Sequence, residues 1–294
     1  MKISFGVPLS GPWAGPENMR RVARRAEELG YAGLWTFQRL LYPEGHAMGP
    51  VYRSVHDPLM TLAHVSAVTR RIELGLAVVN VFMQPVVLAK QLATLQTLSG
   101  GRLAAGVGLG WLEEEFTAAG VDFAARGRRG EEFVQVLRAC WSEDVVAHEG
   151  EFYRIPASHM DPKPEPGPPP VLMGGAAERA LVRAGRLADG WMSASRENLA
   201  VIDQKISTVK AAAEKAGRDP DALRFVVRGV TRIGAGRGPL AGTYDEIRAD
   251  VDALAAKGVT EVFHDLNFDP AVVTAEPAQA MRRAEEALEA LAPR

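Results

Sequence analysis

The chain has 294 residues, of which 47% are hydrophobic and 24% are charged, and its formal net charge at pH 7 is −2. This is the composition of an ordinary globular protein, and the near balance of charge provides no basic field for nucleic acid or for an anionic membrane surface. The single cysteine, Cys140, excludes an internal disulfide framework and a cysteine-based metal site. No apolar run approaches the roughly 18 residues of a membrane span, so we expect a cytoplasmic protein.

Short apolar runs alternate with helix-forming segments along the whole chain. Strands are predicted at residues 3–7, 33–37, 72–80, 103–108, 171–173, 190–194, 223–233 and 259–266. The segments between them have helical periodicity, and the one over 113–141 contains a glycine-rich break. Because strands that are apolar on both faces and joined by helices form parallel sheets, these eight units predict a single (β/α)8 TIM barrel over residues 1–294. An open doubly wound sheet is the alternative.

Two segments interrupt this regular alternation. A loop of about twenty residues, 38–56, follows the second strand, and loops of that length often serve a function. Residues 148–168 form an insertion before the fifth strand, with a small hairpin around Glu149-Gly150-Glu151 and a proline-rich extended part. We expect both segments to influence the choice of substrate.

In a TIM barrel, ligands bind at the C-terminal ends of the strands. This rule places one group of residues around a common opening: Gln38, Arg39, Val78, Asn80, Gly108, Leu109, Gly110, Trp111, residues 173–177, Ser193 and residues 265–267. Within this group, Gly174-Gly175 joins an apolar strand to the start of a helix. Because glycine has no side chain, a ligand can approach the backbone of this turn. Free backbone N–H groups and the helix dipole at such a turn favour a phosphate or carboxylate. A tight strand-to-helix turn without a ligand is the alternative.

The chain offers few catalytic groups of its own. The six histidines have no metal-ligand spacing, the Gly-x-Ser-x-Gly pattern of a serine nucleophile is absent, and no pair of carboxylates faces a common site. Gly108-Leu109-Gly110 lacks the third glycine of a dinucleotide fingerprint. A pocket with an anion-binding turn but without an acid–base pair indicates that a cofactor performs the chemistry.

Three more features lie at this end, and two of them, Trp111 and an arginine cluster, have two interpretations each. Trp111 provides a flat wall for an aromatic ring or closes the barrel rim. The glutamates at 113–115 favour a helix N-terminus through the dipole. Arg126, Arg128 and Arg129 form a basic cluster, for which a salt-bridged helix start is the preferred interpretation over an anion site.

Several motifs together resemble the bacterial luciferase-like superfamily. They are LGLAV (74–78), PVVLAKQ (85–91), LSGGRL (98–103), GVGLGW (106–111), FAARGRR (123–129), DPKP (161–164) and the Gly174-Gly175 turn. The chain looks most like the branch that uses the deazaflavin coenzyme F420, and next most like the flavin monooxygenases. The resemblance implies a TIM barrel, a homodimer and a small-molecule substrate.

The resemblance also implies roles for individual residues. Gly174, Gly175, Ala176 and Ala177 would hold the cofactor phosphate, and Met173 belongs to the same strand end. A non-proline cis peptide between Ala77 and Val78 would form a bulge behind the ring. Asn80 and the run Gly108, Leu109, Gly110 and Trp111 would border the ring and its ribityl chain.

One position departs from the family pattern. Many members have Asp-His just after the second strand, where this chain has Gln38-Arg39. Arg39 cannot act as an ordinary base because a guanidinium stays protonated in proteins, so we predict that it binds an anionic or carbonyl group of substrate or cofactor. A loop arginine paired with a surface carboxylate is the alternative.

These observations predict an F420-dependent oxidoreductase that transfers a hydride to or from a small organic substrate. The alternatives are an FMN-dependent two-component monooxygenase and a barrel that binds a ligand without turnover.

Overall fold

Eight short and almost entirely buried strands form the inner layer of the protein. The computed structural model describes residues 1–234 and 236–294. The strands are β1 Lys2–Gly6, β2 Gly33–Thr36, β3 Glu73–Leu76, β4 Leu103–Gly108, β5 Val171–Gly174, β6 Gly190–Met192, β7 Arg224–Val230 and β8 Glu261–Asp265. All pair in parallel in the order β3-β2-β1-β8-β7-β6-β5-β4, and β3 also pairs with β4. The ring is therefore closed, which confirms the TIM barrel and shows that the open-sheet alternative is wrong.

Helices cover the outside of this barrel. They are α1 Pro16–Glu28, α2 Pro58–Ser66, α3 Pro85–Ser99, α4 Glu113–Ala118, α5 Arg126–Ser142, α6 Glu178–Leu187, α7 Ile202–Lys215, α8 Tyr244–Ala256, α9 Pro270–Val273 and α10 Pro277–Ala290. The predicted break in the fourth helical stretch is the gap between α4 and α5. No helix in the described part of the chain has the length and apolar character needed to cross a membrane.

The leucine stripe of α3 shows how a helix packs on the barrel. Leu88, Leu92 and Leu95 are buried in the main core, whereas Leu98 is 70% exposed. Cys140 on α5 is buried in the same core, and this burial raises the pKa of its thiol. The stripe and the cysteine therefore contribute packing.

The insertion contains the predicted hairpin. Val146–Glu149 pairs antiparallel with Arg154–Ser158, and an extended segment with two cis X-Pro bonds leads to β5. The loop after β2 contains only one short 3-10 turn, Pro50–Tyr52. Both segments lie outside the sheet, as the sequence predicts.

The N-terminal end of the barrel is closed by an ionic cluster in which Glu261 is buried and Arg224 and Glu73 are half-buried. Arg224 on β7 donates to Glu73 Oε2 at 3.0 Å and to Glu261 Oε2 at 2.7 Å. Trp35 Nε1 and Ser4 Oγ donate to the other oxygen of Glu261 at 2.8 and 2.6 Å. A ligand therefore has access to the barrel interior from the opposite end.

Candidate functional site

A cavity of about 350 Å³ opens at the C-terminal ends of the barrel strands. Most of the predicted site residues line it: Gln38, Arg39, Ala77, Val78, Asn80, Gly108, Leu109, Gly110, Trp111, Gly174, Gly175, Ala176 and Ala177. Residues 265–267, which were also predicted at the opening, do not line it, and neither does Met173. Met173 is buried in the hydrophobic core. Ser193, which the strand-end rule also selects, lines the cavity as well. The strand-end rule thus brings together residues that lie up to 155 positions apart in the chain.

The floor of the cavity is an irregularity in the third strand. The peptide bond between Ala77 and Val78 is cis, as the resemblance implies, and the chain resumes sheet pairing at Val79–Asn80. The neighbouring strand makes room for this floor with glycines. A Cβ at Gly108 would lie 2.2 Å from Val78 Cγ2, and one at Gly106 would lie 1.9 Å from the Leu76 carbonyl oxygen. The glycines of β4 are therefore required for the shape of the floor.

One end of the cavity is formed by the start of α6. Its N-cap residue, Ala177, has no side-chain cap, so the first N–H groups of the helix have no partner from that side chain. Gly175 has φ +142°, and a Cβ there would lie 2.5 Å from the Ala180 Cβ. Only glycine therefore fits at the turn that leads into this helix.

Arg126 lines the same cavity as the start of α6. Its guanidinium lies over the Phe123 ring, 3.8 Å from the centroid, and donates to the Phe123 carbonyl at 2.8 Å. No carboxylate among the described residues lies within ion-pair distance of it. The other two arginines of the predicted cluster have different contacts: Arg128 pairs with Glu151, and Arg129 lies over Phe152 and Tyr153. An arginine without a carboxylate partner among the described residues and an uncapped helix N-terminus thus face the same end of the cavity.

Gln38 supports the floor. Its Oε1 accepts a hydrogen bond from the Asn80 N–H at 2.8 Å, and its Nε2 lies 3.2 Å from Met83 Sδ. Both polar atoms of the amide are therefore engaged within the protein. The observed contacts give Gln38 a positioning role for the segment after the cis peptide.

Arg39 forms an ion pair with a buried carboxylate. Its Nη1 lies 2.8 Å from Glu115 Oε2, and the two side chains are 4% and 1% exposed. The proposed pairing with a surface carboxylate is therefore wrong, because Glu115 lies inside the protein. Glu115 also accepts a hydrogen bond from the Leu40 N–H at 2.6 Å. Burial raises the pKa of its carboxyl, although Arg39 and the Leu40 amide act in the opposite direction.

Two aromatic rings accompany Arg39 at the rim. Its guanidinium carbon lies 5.0 Å from the Tyr52 centroid and 4.6 Å from the Trp111 centroid. Trp111 is 57% exposed, so it forms a wall of the opening and does not close the rim. Of the three successive glutamates, Glu115 pairs with Arg39 and Glu114 with His46 at 2.7 Å. Glu115 thus holds Arg39 in the cavity wall and also belongs to the first turn of α4.

Arg228 on β7 is a cavity residue that the sequence analysis missed. Its Nε donates to Asp265 Oδ2 at 2.9 Å, and its guanidinium carbon lies 4.3 and 4.5 Å from the centroids of Phe37 and Phe268. Asp265 is itself held by Asn267, whose backbone and side-chain N–H groups donate to Oδ1. The available signal was a pair of arginines, Arg224 and Arg228, in an otherwise apolar strand.

The charges are therefore distributed unevenly along the cavity. Arg39 and Arg228 are each paired with a buried carboxylate, and Arg126 at the α6 end has no such partner among the described residues. This arrangement suits an elongated ligand with an anionic group at α6 and an uncharged part toward Arg39 and Arg228. Between these ends, Ala77, Val78 and Leu109 provide apolar surface on which a flat ring can lie.

Comparison with known proteins gives three informative matches. A profile described as luciferase-like monooxygenase matches residues 4–290. An uncharacterised protein of Mycobacterium tuberculosis is 35% identical over 222 residues, which cover 70% of this chain and 77% of that protein. An FMNH2-dependent dimethylsulfone monooxygenase of Pseudomonas putida is 30% identical over 67% of this chain and 54% of its own length.

Among solved structures, an F420-dependent secondary alcohol dehydrogenase in complex with an F420–acetone adduct has a TM-score of 0.78. The alignment covers 99% of both chains at 16% sequence identity, so it shows a shared fold. Proteins with similar sequences or folds thus include both FMNH2-dependent and F420-dependent enzymes.

Proposed function

This chain belongs to the luciferase-like monooxygenase family, and within it we propose a coenzyme F420-dependent oxidoreductase that acts on a small uncharged molecule. The observation that carries the proposal is the uneven cavity, with an anion-binding end at α6, an apolar floor at Ala77–Val78 and a charge-balanced end at Arg39 and Arg228. When bound, the deazaflavin would supply a ring carbon that donates or accepts a hydride.

The anion-binding end fits a phosphodiester with one negative charge. The free N–H groups at the start of α6 and one guanidinium, Arg126, face the cavity there. F420 carries a phosphodiester, whereas the phosphate of FMN is a monoester whose second proton leaves near pH 6, so that it has nearly two charges at neutral pH. Arg126, the one cavity-lining arginine without a carboxylate partner among the described residues, matches the smaller charge.

The protein's own groups would position the reactants. Ala77 and Val78 would support one face of the ring, while Gln38 holds the following segment through the Asn80 amide. Among the described residues that line the cavity, the ionisable side chains are Tyr52 and three arginines, and there is no carboxylate, histidine, lysine or cysteine. The site therefore fits hydride transfer better than a reaction that needs a strong base near pH 7.

An FMN-dependent monooxygenase is the second candidate. It is favoured by the sequence match to the dimethylsulfone monooxygenase, which is the more direct relationship because its identity reaches 30%. The two candidates differ in the cofactor that binds, in oxygen uptake and in the need for a reductase. The proposal also includes a homodimer, for which light scattering after gel filtration is the measurement.

The deciding experiment is a titration of purified protein with oxidised F420 and, separately, with FMN. We expect F420 to bind at least tenfold more tightly than FMN. Arg126→Gln should weaken F420 binding, whereas Arg128→Gln should not, because Arg128 pairs with Glu151 at the surface. Tighter binding of FMN, with oxygen consumption on reduction, would establish the monooxygenase instead. Binding of neither would favour a ligand-binding barrel without turnover.

A further inference from the structure

Arg228 has a hydrogen-bonding capacity that its protein contacts do not use. Its side chain is 9% exposed and its partner Asp265 is 1% exposed. Nε donates to Asp265 Oδ2, and Nη2 lies 2.9 Å from the same oxygen. Despite this short distance, Nη2 makes no hydrogen bond of acceptable geometry to any of the described residues. A buried donor without an acceptor is uncommon, because such a group loses its bonds to water on folding.

The protein fixes this guanidinium in place. Phe37 and Phe268 pack against it, Asp265 holds Nε, and Asn267 holds Asp265. The backbone is held as well, because the Arg228 N–H donates to Ser193 Oγ at 3.0 Å. A donor fixed on three sides provides orientation that a mobile surface arginine cannot give.

Arg228 lies beside the part of the cavity in which the reaction is proposed to occur. Its Nη1 lies 3.4 Å from the Ala77 carbonyl oxygen, which belongs to the floor on which the cofactor ring is proposed to lie. Arg39 also has buried nitrogens, Nε and Nη1, without a hydrogen-bond acceptor among the described residues, but it lies at the rim with Trp111 and Tyr52. Arg39 and Arg228 each have a charge that is balanced by a buried carboxylate, and of these two arginines only Arg228 lies beside the floor.

We propose that Arg228 donates a hydrogen bond to the oxygen of an uncharged carbonyl substrate or of the corresponding alcohol. This rests on the proposed function in one respect, the position of the ring at Ala77–Val78. The pairing with Asp265 explains the substrate class. An anionic substrate would meet a guanidinium whose charge is already balanced by a buried carboxylate, whereas a neutral oxygen needs only the free N–H.

A matched series of ligands tests the assignment. Acetophenone, α-methylstyrene and benzoate have similar size, but only the first two are uncharged, and of those only acetophenone has an oxygen. Binding is measured by calorimetry on the purified protein, alone and saturated with F420. We expect acetophenone to bind about tenfold more tightly than α-methylstyrene, the usual effect of a hydrogen bond to a charged donor, and benzoate to bind more weakly than acetophenone.

Two paired variants identify the donor. Arg228→Met with Asp265→Asn removes the donor without leaving a buried charge, keeps the aliphatic stem between the aromatic rings, and keeps an oxygen for Asn267. In this variant, acetophenone and α-methylstyrene should bind about equally tightly. Arg39→Met with Glu115→Gln removes the other pair and should retain the preference. Arg228→Lys, which keeps the charge, is the variant to measure if the first one does not fold, and should lower the preference several-fold.

Specific results would overturn the inference. They are an unchanged preference when Arg228 is replaced, loss of the preference on replacing Arg39 instead, tighter binding of benzoate, or no binding of any ligand. An unchanged preference together with weaker F420 binding would assign Arg228 to the cofactor and also overturn it. If wild-type protein fails to bind F420 but shows the preference and its loss without Arg228, the proposed function fails and the inference stands.

Discussion

The start of α6 has a property that allows the anion site to be tested separately from folding. Ala177 is the N-cap residue, with φ −75° and ψ 147°, and it has no side-chain cap. These angles are those of an ordinary N-cap, at which aspartate is among the preferred residues. Ala177→Asp should therefore stabilise the helix while placing a negative charge where the cofactor phosphate is proposed to bind.

The two effects have opposite signs and measurable sizes. A carboxylate cap in place of alanine adds roughly 0.5–2 kcal/mol to the free energy of unfolding. Repulsion between two unit charges at about 4 Å amounts to roughly 1 kcal/mol in water and about 4 kcal/mol at an effective dielectric constant near 20. Because Ala177 is exposed, we expect a value within this range, which corresponds to a loss of roughly 5-fold to 1000-fold in F420 affinity.

Thermal unfolding without cofactor and F420 titration measure the two effects. Gly15→Asp is the control, because Gly15 caps α1 without a side chain, a Cβ added there would meet no atom within 4 Å, and the residue lies outside the cavity lining. It should leave F420 affinity unchanged. A more stable Ala177→Asp protein that binds F420 as tightly as wild type would refute the assignment of the phosphate to α6. A less stable one would refute the capping argument.

Three further predictions concern stability. Burial lowers the pKa of His264 to about 4, below the value of about 6.5 in an unfolded chain. The unfolded state therefore takes up the proton first, so His264 should lower the stability by up to roughly 3 kcal/mol as pH drops from about 6.5 to 4, and urea titrations of His264→Gln should lack this part of the slope. Glu115→Gln leaves Arg39 buried without its counter-charge and should lower the free energy of unfolding by roughly 3–5 kcal/mol, more than the paired change with Arg39→Met; equal losses would contradict this. Gly106→Ala, whose Cβ would meet the Leu76 carbonyl at 1.9 Å, should reduce the yield of folded protein, whereas Gly167→Ala, with nothing within 4 Å, should be neutral.

The sequence was sufficient to predict the barrel and most of its cavity. Strand identity depends on local apolar runs, and once eight parallel strands close into a ring their C-terminal ends must share one face. Gln38, Asn80, Gly108 and Gly175 were found in this way although they lie on different strand ends. The boundaries were less accurate: strand three was predicted as one run over 72–80, but the cis bond after Ala77 divides it.

The partners of the arginines were not predictable to the same extent. Glu115 reaches Arg39 because of the path of the loop after β2, and no periodic pattern encodes that path. Asp265 was placed at the opening, but its partner Arg228 was missed. In the parallel register Arg228 lies opposite Phe263, so Asp265 is its diagonal neighbour on the next strand. This pairing requires the register, which the sequence does not provide.

The pair of arginines on β7 indicates how one strand serves two purposes. Arg224 and Arg228 are four residues apart, so both side chains lie on the same face of the strand, at opposite ends of the barrel. At the closed end, both terminal nitrogens of Arg224 donate to carboxylates of Glu73 and Glu261. At the open end, Arg228 has one carboxylate and a terminal nitrogen, Nη2, without an acceptor among the described residues. Both terminal nitrogens of the arginine are thus bonded where the barrel is sealed, and one of them is left unbonded where a ligand can enter. This difference is expected if stability determines the first arrangement and binding the second.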